Sequence, residues 1–345
     1  MDIRKEDLDA AVEAGVIDAP ARDRLISFAR ARLQGAGPDN ESFRLLTGFN
    51  DIFVTLACLL VLGAIPALLP GLAAAVALAI VSWGLAEYFT RRRRMALPSI
   101  ILLLAFVSAA FVGTFMAITA GGHWGRAAQQ IWAQGQVTAA FAPLMVAGLA
   151  GAAAAALHWR RFRVPITLAA GAGALAVGFI ALVGALVPSG PAMQAAAFLA
   201  GLAIFAGAMA YDMRDRDRLT RSTDIAFWLH LLAAPLIVHP VFKVTGVLEP
   251  GSGPAAAVIV LLLYVALTTL ALVIDRRALL VSALVYVLLA LQGLFAAGQV
   301  AAGFGLTALI LGAFLIMLSA GWALLRRRLL AFLPDGWRAR LPSPA

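Results

Sequence analysis

Clusters of arginine stand at every second end of the apolar segments in this chain, which restricts the fold more than any other feature. The clusters are Arg91 to Arg94, Arg160 with Arg161 and Arg163, Arg214 with Arg216, Arg218 and Arg221, Arg276 with Arg277, and Arg326 to Arg328. Only Arg126 and Lys243 lie on or next to the intervening gaps. Basic residues that flank membrane spans are retained on the cytoplasmic side. The alternation therefore predicts a series of membrane-spanning hairpins with one orientation.

The composition is that of a membrane protein. Of the 345 residues, 62% are hydrophobic and 13% are charged, whereas soluble domains have about 25% charged residues. The formal net charge of +9 comes from arginines at the ends of the apolar segments. The positive charge thus indicates membrane orientation, and we expect no nucleic acid partner.

Ten segments have the length and apolar character of a span, which needs about 20 residues to cross roughly 30 Å of hydrocarbon. They are 52–69, 71–90, 97–120, 137–157, 164–187, 192–211, 225–245, 255–274, 278–297 and 300–325. The predicted fold class is all-α, a polytopic transmembrane helix bundle of about ten spans with both termini cytoplasmic. Nine or eleven spans would place Arg326 to Arg328 outside. The hairpins could form parallel repeats or two inverted halves, and the sequence does not distinguish these.

Small residues recur at four-residue spacing within the apolar segments. Such pairs let helix backbones approach closely in lipid. They are Ala147 with Gly151, Ala174 with Gly178, Ala203 with Gly207, and Ala308 with Gly312. The pairs predict a tightly packed bundle without specifying which helices meet.

Three regions are expected along the chain: a cytoplasmic helical segment and linker over 1–50, the ten-span bundle over 51–328, and a cytoplasmic tail over 329–345. In the first region a helix over about 6–14 ends at Gly15, which suits a left-handed stop. Asp18 caps the next helix and Pro20 stands in its first turn. This segment is either a module for protein contact or self-association, or a lead-in that packs on the bundle.

The stretch EDLDAAVEAGVIDAPARDRLISFARARL resembles the N-terminal segment of an uncharacterised family of bacterial multi-span membrane proteins. Gly15, Val16 and Ile17 carry the likeness. The resemblance implies a short helical segment followed by hydrophobic spans, and the family has no assigned activity. In size, span number and short loops the chain is also similar to the drug/metabolite transporter superfamily, which implies secondary transport of a small solute.

The cellular location follows from residue usage. Lys5 and Lys243 are the only lysines among 27 basic residues, and Ala, Gly and Pro, whose codons are GC-rich, are abundant. This usage indicates a high-GC bacterium and an inner-membrane location. The first 49 residues are polar, so we expect no cleavable signal peptide.

Ionisable residues inside a span are costly and are functional candidates by default. The seventh segment and its lead-in hold the densest group: Asp224, Trp228, His230, Pro235, His239, Pro240 and Lys243. Nine residues separate His230 from His239, which is about 13 Å along a helix and nearly opposite faces. One metal ion cannot bind both unless the prolines break the helix.

Three interpretations of these histidines remain open. They could line a polar cavity and carry protons or contact a solute. They could ligate haem in pairs, His230 with His158 and His239 with His123. They could form interhelical hydrogen bonds that stabilise the bundle, which the sequence favours.

Other ionisable residues are expected at the membrane boundary. Glu87 can pair with Arg91 one turn later, and Lys243 can extend its ammonium group to the interface. Asp51 and Asp212 are interpreted as boundary residues. The candidate binding residues are His230, His239, Trp228, Glu87 and Lys243.

No motif for catalysis or cofactor binding is present. The sequence lacks a GxxxxGK[ST] phosphate loop, an HExxH zinc motif, a CxxC pair and a G-x-S-x-G turn. We therefore expect no enzyme activity, metal or cofactor. The predicted function is that of a non-enzymatic integral membrane protein with a structural or regulatory role. The alternative is a secondary transporter of a small solute with its polar site on the seventh span.

Overall fold

The computed structural model describes residues 5–34, 49–119, 140–215, 220–244, 254–277 and 303–334, with the isolated positions 280, 284, 287, 288, 336 and 341. The chain divides into two compact units, Met1–Arg44 and Leu45–Pro344. Throughout the described residues the regular elements are helices, as expected for an all-α fold.

In its described residues, 5–34, the first unit contains two helices, α1 (Lys5–Glu13) and α2 (Ala19–Gln34). Gly15 follows α1 with a φ of 70°, which confirms the predicted left-handed stop. The Asp18 carboxylate accepts a hydrogen bond from the Ala21 N–H at 2.7 Å, which confirms the predicted cap.

The second unit contains a succession of long helices. They are α3 (Phe49–Leu68), α4 (Gly71–Ala86), α5 (Ala96–Thr119), α6 (Phe141–Phe162), α7 (Ile166–Leu186), α8 (Gly190–Arg214), α9 (Arg221–Val244), α10 (Pro254–Ile274) and α11 (Gly303–Ala331). A π-helix, Glu87–Arg92, continues α4. Helices that are neighbours in sequence pack together, most extensively α6 with α7 and α8 with α9, while α9 also packs on α7. The short turns make these pairs antiparallel.

The described helices have the length and apolar character of a multi-pass membrane protein. In the described ranges, eight are long and apolar enough to cross a bilayer, and α10 adds a shorter apolar stretch, Val258–Ile274. The predicted span 278–297 lies almost entirely outside the described residues. The count of ten spans stays a prediction.

Two helices extend further than expected at their arginine-rich ends. The predicted span 137–157 corresponds to α6, which runs to Phe162, and the predicted span 300–325 corresponds to α11, which runs to Ala331. A span predicted from hydrophobicity ends at the first charged residue. The helix can continue past that residue, because its backbone N–H and C=O groups bond to each other. The region predicted as a tail from residue 329 thus begins inside α11.

A close backbone contact lies between α6 and α7. A Cβ on Gly148 would stand 2.6 Å from the Ala174 carbonyl oxygen and 2.9 Å from the backbone of Gly178. Gly151 faces the Ala174 side chain. Two of the predicted small-residue pairs therefore meet each other, while Gly207 and Gly312 face open space.

Three helices are followed by a left-handed residue at their arginine-rich ends. These residues are Arg94, Arg163 and Asp275, with φ values of 54°, 54° and 58°. After Asp275 the Arg276 N–H donates to the Ala271 carbonyl at 2.9 Å, the long hydrogen bond typical of a helix that ends in this way. This conformation positions Arg276 beside Asp212.

Candidate functional site

A buried ionic cluster joins three segments at the arginine-rich end of the bundle. Asp212 lies near the end of α8, His230 lies in the third turn of α9, and Arg276 follows α10. Their exposed fractions are 2%, 0% and 1%. We name these three residues the Asp212 cluster.

The Asp212 carboxylate is the centre of this cluster. His230 Nε2 lies 2.9 Å from Asp212 Oδ2. Arg276 donates from Nε to the same oxygen at 3.2 Å and from Nη2 to Oδ1. An arginine fork bound to both oxygens of a carboxylate is a strong, directional arrangement. Both carboxylate oxygens are therefore satisfied by cations or hydrogen-bond donors.

The turn between α8 and α9 is held by a second carboxylate. Asp215 accepts hydrogen bonds from the backbone N–H and the hydroxyl of Thr220, at 2.8 and 2.6 Å. It also accepts one from the Thr223 hydroxyl at 2.8 Å. The Thr223 carbonyl in turn accepts from Arg276 Nη2 at 3.5 Å. The turn and the Asp212 cluster thus form one continuous polar network.

The turn after α10 also contacts α11. Trp322 Nε1 donates to Asp275 Oδ1 at 2.7 Å, and the guanidinium of Arg277 lies 4.9 Å from the centre of the Trp322 ring. Arg326, which is buried, places its Nε 3.7 Å from the same Asp275 oxygen. Residues 275 to 277 therefore connect the end of α10 to three other helices, α8, α9 and α11.

Glu87 connects α4 with α6 rather than contributing to the histidine site. Arg91 Nη1 lies 3.3 Å from its carboxylate, which confirms the pair predicted one turn apart. Arg161 makes the shorter contacts, Nε to Oε1 at 2.6 Å and Nη2 to Oε2 at 2.9 Å. This pair spans 74 residues of sequence, and no local pattern announces it.

His158, on α6, is buried among aromatic rings. Its exposed fraction is 0%, and its ring centre is 4.5 Å from that of Phe162 and 6.2 Å from that of Trp83. Nδ1 lies 3.4 Å from the Thr167 hydroxyl, and Nε2 has no hydrogen-bond partner among the described residues. His158 and His230 belong to separate side-chain groups, and His123, needed for the other haem pair, lies outside the described residues.

The remaining candidates on α9 lie apart from the Asp212 cluster. His239 and Lys243 are exposed, and Trp228 is half-buried in an apolar group with Trp159 and Tyr211. His230 and His239 occupy opposite sides of the helix, as their spacing predicts. Of the five candidate residues, the structure brings only His230 into the buried cluster.

The two prolines of the seventh span do not break its helix. The helix α9 continues through Pro235 and Pro240. A proline removes one backbone donor, but the adjoining turns and neighbouring helices can hold a spanning helix together. No unwound segment is therefore available on α9 to expose backbone carbonyls to a ligand.

Asp212 and Arg276 are the members of the site that sequence reasoning missed. Asp212 is interpreted from the sequence as a boundary residue and Arg276 as a marker of orientation. Both stand at apolar segment ends, but they are buried there because they pair with each other and with His230. A carboxylate at the end of an apolar segment, expected on the same face as the arginines of several hairpins, is the signal that could have suggested the pair.

Comparison with known proteins gave no match: no protein-family model, no curated protein sequence and no solved structure corresponds to this chain. The function is therefore inferred from its own residues.

Proposed function

We propose that this chain is a non-enzymatic, multi-pass protein of the bacterial inner membrane with a structural or regulatory role. Both termini are cytoplasmic in this proposal. The long apolar helices and the arginines at their alternate ends support it. The N-terminal segment is then a contact for a protein partner or for a second copy of this chain.

The single observation that carries the proposal is the pairing of the buried Asp212 carboxylate with His230 and Arg276. The carboxylate is bonded on both oxygens, the members of the Asp212 cluster are shielded from solvent, and they come from three segments. In lipid, polar contacts between helices help to determine which helices meet. A buried ion pair adds little net stability over an apolar pair, but removing one partner is costly. The cluster therefore favours a role in fixing the arrangement of α8, α9 and the end of α10.

Single substitutions test this role by the order of their effects on unfolding. Asp212→Ala leaves the buried Arg276 uncompensated, so we expect it to cost about 3–5 kcal/mol. His230→Ala loses a hydrogen bond to a charged group and some packing, at least about 2 kcal/mol. His239→Ala is the matched control on the same helix, and its exposed position predicts a change within about 0.5 kcal/mol. Thermal and denaturant unfolding of the purified protein in detergent measure the order.

Equal, small losses for all three variants would contradict the structural role of the cluster. Restoration by an apolar replacement is a further check. The double variant Asp212→Leu/Arg276→Met should recover much of the free energy of unfolding that Asp212→Ala loses. If the double variant is no more stable than Asp212→Ala, the cluster does not fix the arrangement of these helices through its ion pair.

A second candidate function is secondary transport of a small solute, and one observation favours it. His230 bonds a carboxylate inside a spanning helix, and such ionisable pairs often carry protons in transporters. A panel of small metabolites, drugs and metal ions tests it by thermal stabilisation. A ligand at a hundred times its dissociation constant adds about 2.7 kcal/mol. A shift that disappears in His230→Ala but survives in His239→Ala would support transport, and a flat panel would leave the structural role preferred.

A further inference from the structure

The arginine-rich ends of α4 and α6 form a strongly positive surface with little internal compensation. Segments 87–94 and 160–163 contain seven arginines and one glutamate, a net charge of +6. These arginines, which we name the α4–α6 arginine patch, are Arg91, Arg92, Arg93, Arg94, Arg160, Arg161 and Arg163. All seven are exposed.

The two halves of the patch are adjacent because Glu87 joins them. Its carboxylate contacts Arg91 at 3.3 Å on its own helix and Arg161 at 2.6 Å on α6. Arg93 donates to the Tyr88 hydroxyl from Nε and Nη2, at 3.3 and 3.2 Å. The contacts among the described residues give no carboxylate partner to the other four, which are Arg92, Arg94, Arg160 and Arg163. Four guanidinium groups on two joined turns thus remain available for an external anion.

In most of the other basic segments, nearby residues of the chain balance the arginine charge or contact the arginine side chains. Segment 212–224 contains four arginines and four aspartates, so it is neutral overall. Arg276 is buried against Asp212, Arg277 covers Trp322, and Arg326 is buried beside Asp275. Arg327 and Arg328 are exposed but form a smaller group. Among these segments, the uncompensated charge is concentrated on the α4–α6 arginine patch.

We propose that the α4–α6 arginine patch binds the headgroups of anionic phospholipids. The patch terminates helices with the length of membrane spans, so its arginines lie at the depth of lipid phosphates if these helices cross the bilayer. Guanidinium forks match phosphate oxygens in geometry as well as charge. Basic residues beside a spanning helix also increase affinity for an anionic leaflet. The patch selects anionic lipids around α4 and α6.

Native mass spectrometry of the full-length protein in detergent tests this site. Titration with phosphatidylglycerol is compared with titration with phosphatidylcholine, which has the same phosphate but no net charge. We expect the wild-type protein to bind phosphatidylglycerol at least about tenfold more tightly. The double variant Arg92→Gln/Arg160→Gln should lose most of this preference. Arg327→Gln/Arg328→Gln removes the same charge elsewhere and should retain it.

Each other result overturns the proposal. Equal binding of the two lipids by the wild-type protein would exclude selection of anionic headgroups. If both double variants lose the preference for phosphatidylglycerol equally, binding depends on the total charge of the protein rather than on this patch. Displacement of phosphatidylglycerol by an equal concentration of glycerol phosphate would assign the site to soluble phosphate instead.

A measurement on the wild-type protein keeps the test decisive if the patch variant fails to fold. Raising the ionic strength from about 0.1 M to about 1 M shortens the Debye length from about 10 Å to about 3 Å. The preference for phosphatidylglycerol should then fall several-fold, because the proposed contacts are exposed. A preference unaffected by salt would contradict binding through the arginines.

Discussion

At the scale of single residues, the effect of a charge depends on its partners more than on its position in the sequence. Asp212 lies two residues before the end of α8, where a solvated carboxylate would be unremarkable. It is buried instead, since Arg276 and His230 surround it with donors. His239, on the same helix as His230, is exposed. Two histidines nine residues apart therefore have different physical roles.

The left-handed conformation of Arg163 gives a prediction at the same scale. A non-glycine residue at positive φ costs roughly 1–2 kcal/mol, and glycine adopts this conformation freely. Arg163→Gly should therefore leave the free energy of unfolding unchanged or raise it by up to about 1 kcal/mol. Arg160→Gly, three residues earlier within α6, should lower it by about 1 kcal/mol. Thermal unfolding in detergent compares the two variants.

Both substitutions remove one exposed arginine from the same turn, so the comparison cancels the loss of charge. If both variants change the free energy of unfolding by the same amount and in the same direction, the loss of charge accounts for the effect. That result would also contradict a strained backbone at residue 163.

Local signals in the sequence predicted contacts between residues close along the chain and missed those between distant helices. Glu87 with Arg91, and Asp18 as a cap, depend on residues three or four positions apart, so sequence spacing finds them. The cluster partners Asp212 and Arg276 are 64 residues apart, and Glu87 and Arg161 are 74 residues apart. Such pairs depend on how helices assemble, which composition and periodicity do not specify.

At the scale of helices, the apolar pattern predicted the positions of the spans better than their ends. The predicted spans 71–90 and 97–120 correspond closely to α4 and α5. The arginine-bearing ends of α6 and α11 were predicted too short, because hydrophobicity marks the part of a helix in hydrocarbon and not its full length. The small-residue pairs predicted close packing, but only the structure shows that α6 and α7 use theirs together.

The contact between α6 and α7 gives a prediction for helix packing. Gly148→Ala places a methyl group against the backbone of Ala174 and Gly178, atoms that cannot rotate away. We expect a loss of about 1–3 kcal/mol in the free energy of unfolding, typical of overpacking. Gly207→Ala is the control, since nothing lies within 4 Å of its added Cβ. It should be neutral or slightly stabilising.

Unfolding of the two glycine variants under identical detergent conditions provides the measurement. If Gly148→Ala proved as stable as Gly207→Ala, the close approach of α6 and α7 would be contradicted.

At the scale of the whole molecule, the ion pairs between helices lie at the arginine-rich end of the bundle. The Asp212 cluster, the Glu87 pair and the left-handed turns all lie where the arginines lie. At this end, one ion pair joins α4 to α6. Two others join α8 to α9 and α8 to the end of α10. The orientation proposed from the arginines would place all of these contacts near the cytoplasmic surface.

The most direct test of this arrangement uses the single cysteine of the chain. Cys58 is buried, and Cys58→Ala provides a background free of thiols. Val164→Cys and Val187→Cys then place identical probes just beyond the two ends of α7, Ile166–Leu186. A membrane-impermeant maleimide is applied to right-side-out and to inverted vesicles from a bacterial host. We predict labelling of Val187→Cys only in right-side-out vesicles and of Val164→Cys only in inverted ones. Labelling of both from one side would show that α7 does not cross the membrane, and the reverse pattern would place the arginine-rich ends outside.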